Sequence, residues 1–248
     1  MIEHLQSRLA ALSPAARLAA FREAVPGRLV FTTSLGLEDQ VLTHWIATQN
    51  LDIEIATLDT GRLFSETYTV WAETEERYGI RIKAMIPERP ALEALVITQG
   101  PNGFYASIEA RKACCHIRKI EPLNRLLSNA SGWIAGLRAD QSQARGDATL
   151  LSQDTARGLL KLNPLLDWNR DQVLAFAQAS NVPLNALHAR GFASIGCAPC
   201  TRALAPGESE RAGRWWWESE AATSKECGLH VGPDGRLVRI ASPESVAS

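Results

Sequence analysis

A mostly parallel α/β sheet with helices on both faces, followed by a loop-rich C-terminal tail, is the architecture this sequence predicts. Three observations carry it. Short apolar runs alternate with longer stretches of helical period from residue 25 to about residue 180. The run RLVFTTS at 28–34 reads as a buried strand that feeds through SLGLED straight into a helix, the first of several strand-loop-helix units. Beyond Pro183 the pattern lapses, and Gly191, Gly196, Pro199, Pro206, Gly207 and Gly213 mark loops.

Residues 1–24 read as helical, with Ile2, Leu5, Leu9 and Leu12, then Leu18 and Phe21, on the apolar side. Ser13-Pro14 starts the second of two helices, the serine as cap and the proline at its first position. Pro26-Gly27 turns the chain into the strand at 28–34. The helix at 39–49 then presents Val41, Leu42, Trp45 and Ile46. A strand at 53–58, a loop at 59–64 and a helix at 65–78 repeat the unit, and 81–86 is a third strand. A helix at 90–98 closes at the Gly100-Pro101-Asn102-Gly103 turn. Helices at 105–112 and 117–128 flank a cysteine pair, 133–138 is a fourth strand and 159–162 a fifth. A helix follows at 168–179, with Asp167 as candidate cap. The segment 230–238 reads as a small hairpin or a frayed end. The chain divides into an N-terminal helical segment, 1–24, an α/β domain, 25–200, and a mobile C-terminal segment, 201–248.

Composition bounds the function. The chain has 248 residues, 46% hydrophobic and 21% charged, which suits one soluble globular domain with an appendage. A formal net charge of -1 argues against a bulk nucleic-acid binder. No run is apolar and long enough to span a membrane, and the N-terminus lacks a basic region followed by an apolar core. Five cysteines, an odd number in a chain too long to need staples, point to a reducing, cytoplasmic compartment.

Those cysteines are the main chemical signal. Cys197 and Cys200 have the CxxC spacing that lets two thiolates bite one metal centre, and Gly196 and Pro199 favour a tight loop there. Cys114 and Cys115 are adjacent, so their side chains point about 100° apart on a helix and to opposite faces of a strand. Neighbours reach one small ion only through a local distortion, whereas a 4Fe–4S cube is reached more easily. Zinc, a Cys197–Cys200 redox disulfide and buried free thiols are the alternatives the spacing leaves open. Arg111, Lys112, Arg118 and Lys119 surround the pair; they suit an anionic cluster, an anionic substrate or a solvated helix face. Cys227 stands apart in SKECGLH, either incidental or a nucleophile on a pliable tail.

In an open parallel sheet, ligands bind beyond the carboxyl ends of the strands. The loop after the first strand supplies Ser34, Gly36, Glu38 and Asp39, which is neither a Walker loop nor GxGxxG. The loop after the second supplies Asp59, Thr60, Gly61 and Arg62, and that after the fourth supplies Arg138, with Gln141, Ser142 and Arg145 beyond. Arginines and small hydroxyls on one edge suit an anionic nucleotide, with structural ion pairing at Asp59 and Arg138 as the rival reading. Arg202, Arg211 and Arg214 form a second basic set before Trp215-Trp216-Trp217, which cannot all face one core.

SLGLED, LDTG, CCHIRKIEPL, GLRADQSQAR, NPLLDW, IGCAPC, the arginine-tryptophan stretch and KECGLH, in that order, resemble the assimilatory adenylylsulfate reductases. These are the iron–sulfur branch of the phosphoadenylylsulfate/adenylylsulfate reductase family. The resemblance runs from about residue 25 to about residue 230. It implies the adenine-nucleotide alpha-hydrolase (PP-loop type) fold and one 4Fe–4S cluster per chain on Cys114, Cys115, Cys197 and Cys200. It implies Cys227 as nucleophile, with Lys119 between cluster and substrate and Arg138, Arg211 and Arg214 at the anionic end. Ser34, Gly36, Glu38 and Asp39, beside Asp59, Thr60 and Gly61, would receive the nucleotide. The reaction implied is reduction of adenylylsulfate to sulfite and AMP in sulfate assimilation, through a Cys227 S-sulfonate released by reduced thioredoxin or glutaredoxin. Oligomeric state, dimer or tetramer, is not specified. The rivals are use of the 3'-phosphorylated substrate, a tRNA-thiolating or adenylating enzyme of the same fold, and a cluster-bearing nucleotide-binding redox sensor. The absence of lysine and arginine from Ser34–Asp39 leans against the first.

Overall fold

Two N-terminal helices, α1 (Ile2–Ala10) and α2 (Pro14–Ala24), meet at Ser13, whose hydroxyl accepts from the Ala16 amide while Pro14 opens α2. The computed structural model describes residues 2–142, 145–146 and 148–218. The sheet then builds in repeating units: β1 (Leu29–Thr33), α3 (Leu37–Thr48), β2 (Glu54–Leu58), α4 (Ser65–Tyr78), β3 (Lys83–Met85) and α5 (Arg89–Gln99). α6 (Ile108–Cys115), α7 (Glu121–Leu127), β4 (Gly132–Ile134), β5 (Leu151–Asp154), β6 (Leu159–Leu162) and α8 (Arg170–Ala179) complete it.

The six strands lie in the order β3-β2-β1-β4-β6-β5. Every neighbouring pair is parallel except β5 with β6. β1 is central, with Phe31 opposite Ile55 on one side and Ile134 on the other. Its side chains alternate between two cores, as strand geometry requires. Leu29 and Phe31 join Leu18, Phe21, Val41, Leu42, Val173 and Ala177 on the face covered by α2, α3 and α8. Val30 joins Leu123, Leu126 and Leu127 of α7, with Trp133, on the opposite face. Fully burying each such side chain stabilises by about 1.5–3 kcal/mol. Among the described residues no helix is long and apolar enough to cross a membrane.

Three expectations are corrected. The strand at 133–138 is short, Gly132–Ile134, because the chain then leaves the sheet and Ala135, Gly136 and Leu137 line a cavity. β5 was not foreseen; its LSQD sequence carries one apolar residue and pairs only at the sheet's antiparallel edge. α8 is capped by Asn169, which exchanges hydrogen bonds with Gln172. Asp167 instead holds the Arg17 guanidinium at 2.6 and 2.7 Å, tying α2 to the turn before α8.

The helices flanking the double cysteine are joined rather than broken. α6 passes into a π turn, His116–Ile120, and then α7. Pro122 explains the widening: it has no amide for the carbonyl four residues back, and its ring would strike that carbonyl. The Glu121 amide reaches instead to the His116 carbonyl, five residues back. Cys114 and Cys115 themselves lie in the regular last turn of α6, just before it.

Candidate active site

A cavity of about 180 Å³ opens beyond the carboxyl ends of β1, β2 and β4. The strand order reverses at β1, which is where open α/β sheets leave a crevice. Ser34, Gly36, Glu38, Asp39, Thr60, Lys119, Arg211 and Arg214 all line it. Asp59, Gly61 and Arg138 do not.

The first loop is tightly set. Leu35 adopts a left-handed φ of 59°, uncommon for a branched side chain, and is fully buried. Asp39 reaches back from the first turn of α3, its Oδ2 accepting from both the amide and the hydroxyl of Ser34 at 2.6 Å. Burial raises the Asp39 carboxyl to about 6, against the opposing Ser34 hydrogen bonds. Gly136 faces it from the loop after β4, where a Cβ would collide with Asp39 Oδ1 and lie 3.1 Å from Glu38 Cβ.

The second loop links this cavity to the cysteines. Asp59 Oδ1 accepts from the Gly61 amide at 2.9 Å and from the Tyr68 hydroxyl at 2.7 Å, which shapes the turn. Thr60 is completely buried, with Oγ1 3.3 Å from Cys197 Sγ. Its carbonyl accepts from Arg118 Nη1 at 2.5 Å.

Cys114, Cys115, Cys197 and Cys200 line a second, smaller cavity with Arg118 and Lys119. None of these four is joined to another in a disulfide, and Cys115, Cys197 and Cys200 are buried. Among the described residues no group of three or more His, Cys, Asp or Glu converges as a single metal ion requires. The four thiols line a space of about 20 Å³ instead. The surroundings suit an anionic, acceptor-rich group. Arg118 Nε, Trp215 Nε1 and Trp217 Nε1 are buried donors without partners, and both tryptophans pack in the cysteine cluster. Burial pushes Cys197 up, but Lys119, the Thr60 hydrogen bond, Arg214 and Arg118 together hold it below the usual thiol range. Burial and the neighbouring Cys197 push Cys200 up to about 11. Lys119 lines both cavities.

Residues 201–218 pack onto this edge. Arg214 lies over the Trp215 ring at 4.8 Å, and Arg111 lies over the same ring at 4.8 Å. Trp215 is buried with a left-handed φ of 44°. A Cβ at Gly196 would collide with the Arg214 guanidinium, so glycine lets the two segments approach. Arg111 also forms a bidentate pair with Glu218, at 2.8 and 2.9 Å. Arg138 is fully buried and its guanidinium is taken by Glu38 at 2.8 Å, Glu210 at 2.7 Å and Asp140. It braces two cavity-lining carboxylates from behind. Cys227 lies outside the described residues.

Glu210 and His188 line the cavity, and neither was singled out from sequence. Glu210 carries no motif beyond its place beside Arg211, and His188 sits in a loop-rich stretch with no spacing signal.

Residues 28–203 match the phosphoadenosine phosphosulfate reductase domain family. An adenosine 5'-phosphosulfate reductase of Sinorhizobium fredii (strain USDA 257) is 54% identical over 227 residues, 92% of this chain and 89% of its own. A protein of the same name from Rhizobium meliloti (strain 1021) is 53% identical over 90% of this chain and 83% of its own. Among solved structures, a phosphoadenylyl-sulfate (PAPS) reductase from Candida auris superposes with a TM-score of 0.70 at 24% identity, covering 81% of this chain and 96% of that one. A Candida glabrata FMN adenylyltransferase gives 0.53 at 16% identity, over 90% and 78% of the two chains. These two likenesses establish the shared fold.

Proposed function

This chain belongs to the phosphoadenosine phosphosulfate reductase family, and from that premise we propose that it reduces adenylylsulfate to sulfite and AMP in sulfate assimilation. The observation that carries the reading is the position of Lys119, on the wall shared by the nucleotide cavity and the four-cysteine cavity.

The nucleotide enters beyond β1, β2 and β4, with its phosphosulfate end toward Lys119, Arg211 and Arg214. Asp59 and Gly61 act by shaping the turn that holds Thr60, and Arg138 acts through Glu38 and Glu210. Cys227, as thiolate, attacks the sulfur of adenylylsulfate. A sulfur–sulfur bond forms, the sulfur–oxygen bond to the phosphate breaks, and AMP leaves with that electron pair. Lys119, Arg211 and Arg214 offset the charge gathering on the phosphate and sulfonate oxygens. One thiolate of reduced thioredoxin or glutaredoxin then attacks Cys227 Sγ and expels sulfite. The donor's second thiol resolves the mixed disulfide, so the dithiol supplies both electrons.

Cys114, Cys115, Cys197 and Cys200 would hold one 4Fe–4S cluster, which supplies a tie between α6 and the 197–200 loop and a fixed charge beside Lys119. A reducing, cytoplasmic setting belongs to the same reading, as does the division into 1–24, 25–200 and 201–248, the last segment carrying Cys227. The test is anaerobically purified protein given adenylylsulfate and reduced thioredoxin, with sulfite measured. Mass spectrometry without reductant should find a sulfonate on Cys227; its absence there rejects the covalent route.

A further inference from the structure

His188 lies in a short 3-10 turn, Ala186–Arg190, and is one of the residues lining the nucleotide cavity. Its Nδ1 is 2.8 Å from the Phe192 carbonyl oxygen. A carbonyl only accepts, so Nδ1 carries the hydrogen and the neutral ring presents Nε2 as a bare acceptor. That Nε2 is buried without a hydrogen-bond partner. A buried acceptor left unpaired in the free protein marks the place of an absent donor.

Two further acceptors share the cavity. Glu38 and Glu210 line it, both held by Arg138, which spends its Nε and Nη2 on them and does not itself line the cavity. Each carboxylate oxygen retains lone-pair capacity beyond its bond to Arg138. The cations of the cavity that are set beside the cysteines, Lys119 and Arg214, suit the anionic end of a nucleotide and leave its uncharged end for this acceptor set.

We propose that His188 Nε2, Glu38 and Glu210 form an acceptor-only wall that takes the hydroxyl donors of the nucleotide's ribose and rejects a nucleotide carrying a 3'-phosphate. The inference rests on the reading that adenylylsulfate binds in this cavity. A ribose hydroxyl donates to such a wall. A 3'-phosphate brings only acceptors and negative charge, so it loses the hydrogen bond and meets two like charges.

The experiment is calorimetric binding of AMP, 2'- and 3'-deoxyadenosine 5'-monophosphate and adenosine 3',5'-bisphosphate to the full chain, purified anaerobically with its cluster. The native protein should bind AMP at least about a hundredfold more tightly than the bisphosphate. Glu210→Gln should narrow that ratio by about tenfold. His188→Asn keeps a donor toward Phe192 and removes the Nε2 acceptor, so it should weaken AMP by about tenfold while leaving one of the two deoxynucleotides unaffected. His188→Gln, whose amide oxygen can stand near the Nε2 position, should recover part of the loss. Equal binding of AMP and the bisphosphate by the native protein overturns the proposal without any variant, and so does an unchanged ratio in folded Glu210→Gln and His188→Asn. If the native protein still releases sulfite from adenylylsulfate, only the wall is rejected. Failure to bind any nucleotide rejects the wall and the proposed function together.

Discussion

Glu218→Ala removes one half of an ion pair whose side chains are only 1% and 3% exposed. The guanidinium of Arg111 would remain buried against Trp215, with its Nε and Nη2 bonds to the carboxylate lost. Breaking such a pair on one side costs about 3–5 kcal/mol, because a buried cation loses its carboxylate in low dielectric. In a chain of this size that corresponds to a fall of roughly 10 °C in Tm. Replacing both partners with apolar residues of similar volume, Arg111→Met with Glu218→Leu, should recover most of the loss, since neither charge is then desolvated. Urea denaturation of Arg111→Met, Glu218→Leu and the double variant gives a thermodynamic cycle, in which the coupling is expected to be at least about 3 kcal/mol. Circular dichroism and tryptophan fluorescence should report the same transitions. If the two single effects add to the double effect within about 0.5 kcal/mol, the pair is not the anchor its burial implies.

Other outcomes follow from the same geometry. Cys200→Ala should lose iron and most activity, whereas Cys227→Ser should keep iron and lose turnover; iron analysis and a sulfite assay separate them, and an iron-free yet fully active Cys200→Ala protein would reject the ligand set. Burial raises the Asp39 carboxyl from an ordinary 3.8 to about 6, so the folded state holds a proton that the unfolded chain releases. Its stabilising contribution is therefore full below pH 3.8 and is lost as pH rises through about 6. Relative to the native protein, Asp39→Asn should gain up to about 3 kcal/mol across that window, read from urea midpoints, and a gain in the opposite direction would contradict the assignment. Gly136→Ala should drive a methyl group into Asp39 and Glu38, costing about 1–3 kcal/mol and weakening AMP binding in the same titration.

Much of this molecule was legible because its signals are periodic or chemically rare. Leu29, Val30 and Phe31 announce a strand buried on both faces, and Ser13-Pro14 announces a helix start. The cysteines could be grouped by spacing, and both pairs line one cavity. What escaped is what depends on partners distant in sequence. Arg138 reads as an anion-binding arginine, but its destination depends on Glu210, 72 residues away. Asp167 reads as a cap because it precedes a helix, yet Arg17 from α2 claims it. The tautomer of His188, and hence its use as an acceptor, is decided by the Phe192 carbonyl. Local sequence carries no trace of such choices.

The π turn between α6 and α7 also sets a rule for chain length. It acts as a phase shifter: the cysteine-bearing turns before it and the Leu123, Leu126 and Leu127 face after it hold a fixed rotational offset. Deleting one residue between Cys115 and Glu121 would turn one half against the other by about 100°. Either the leucines would leave the sheet or the thiols would swing away from the 197–200 loop. A substitution in HIRKI leaves that offset in place, whereas a change in its number of residues does not.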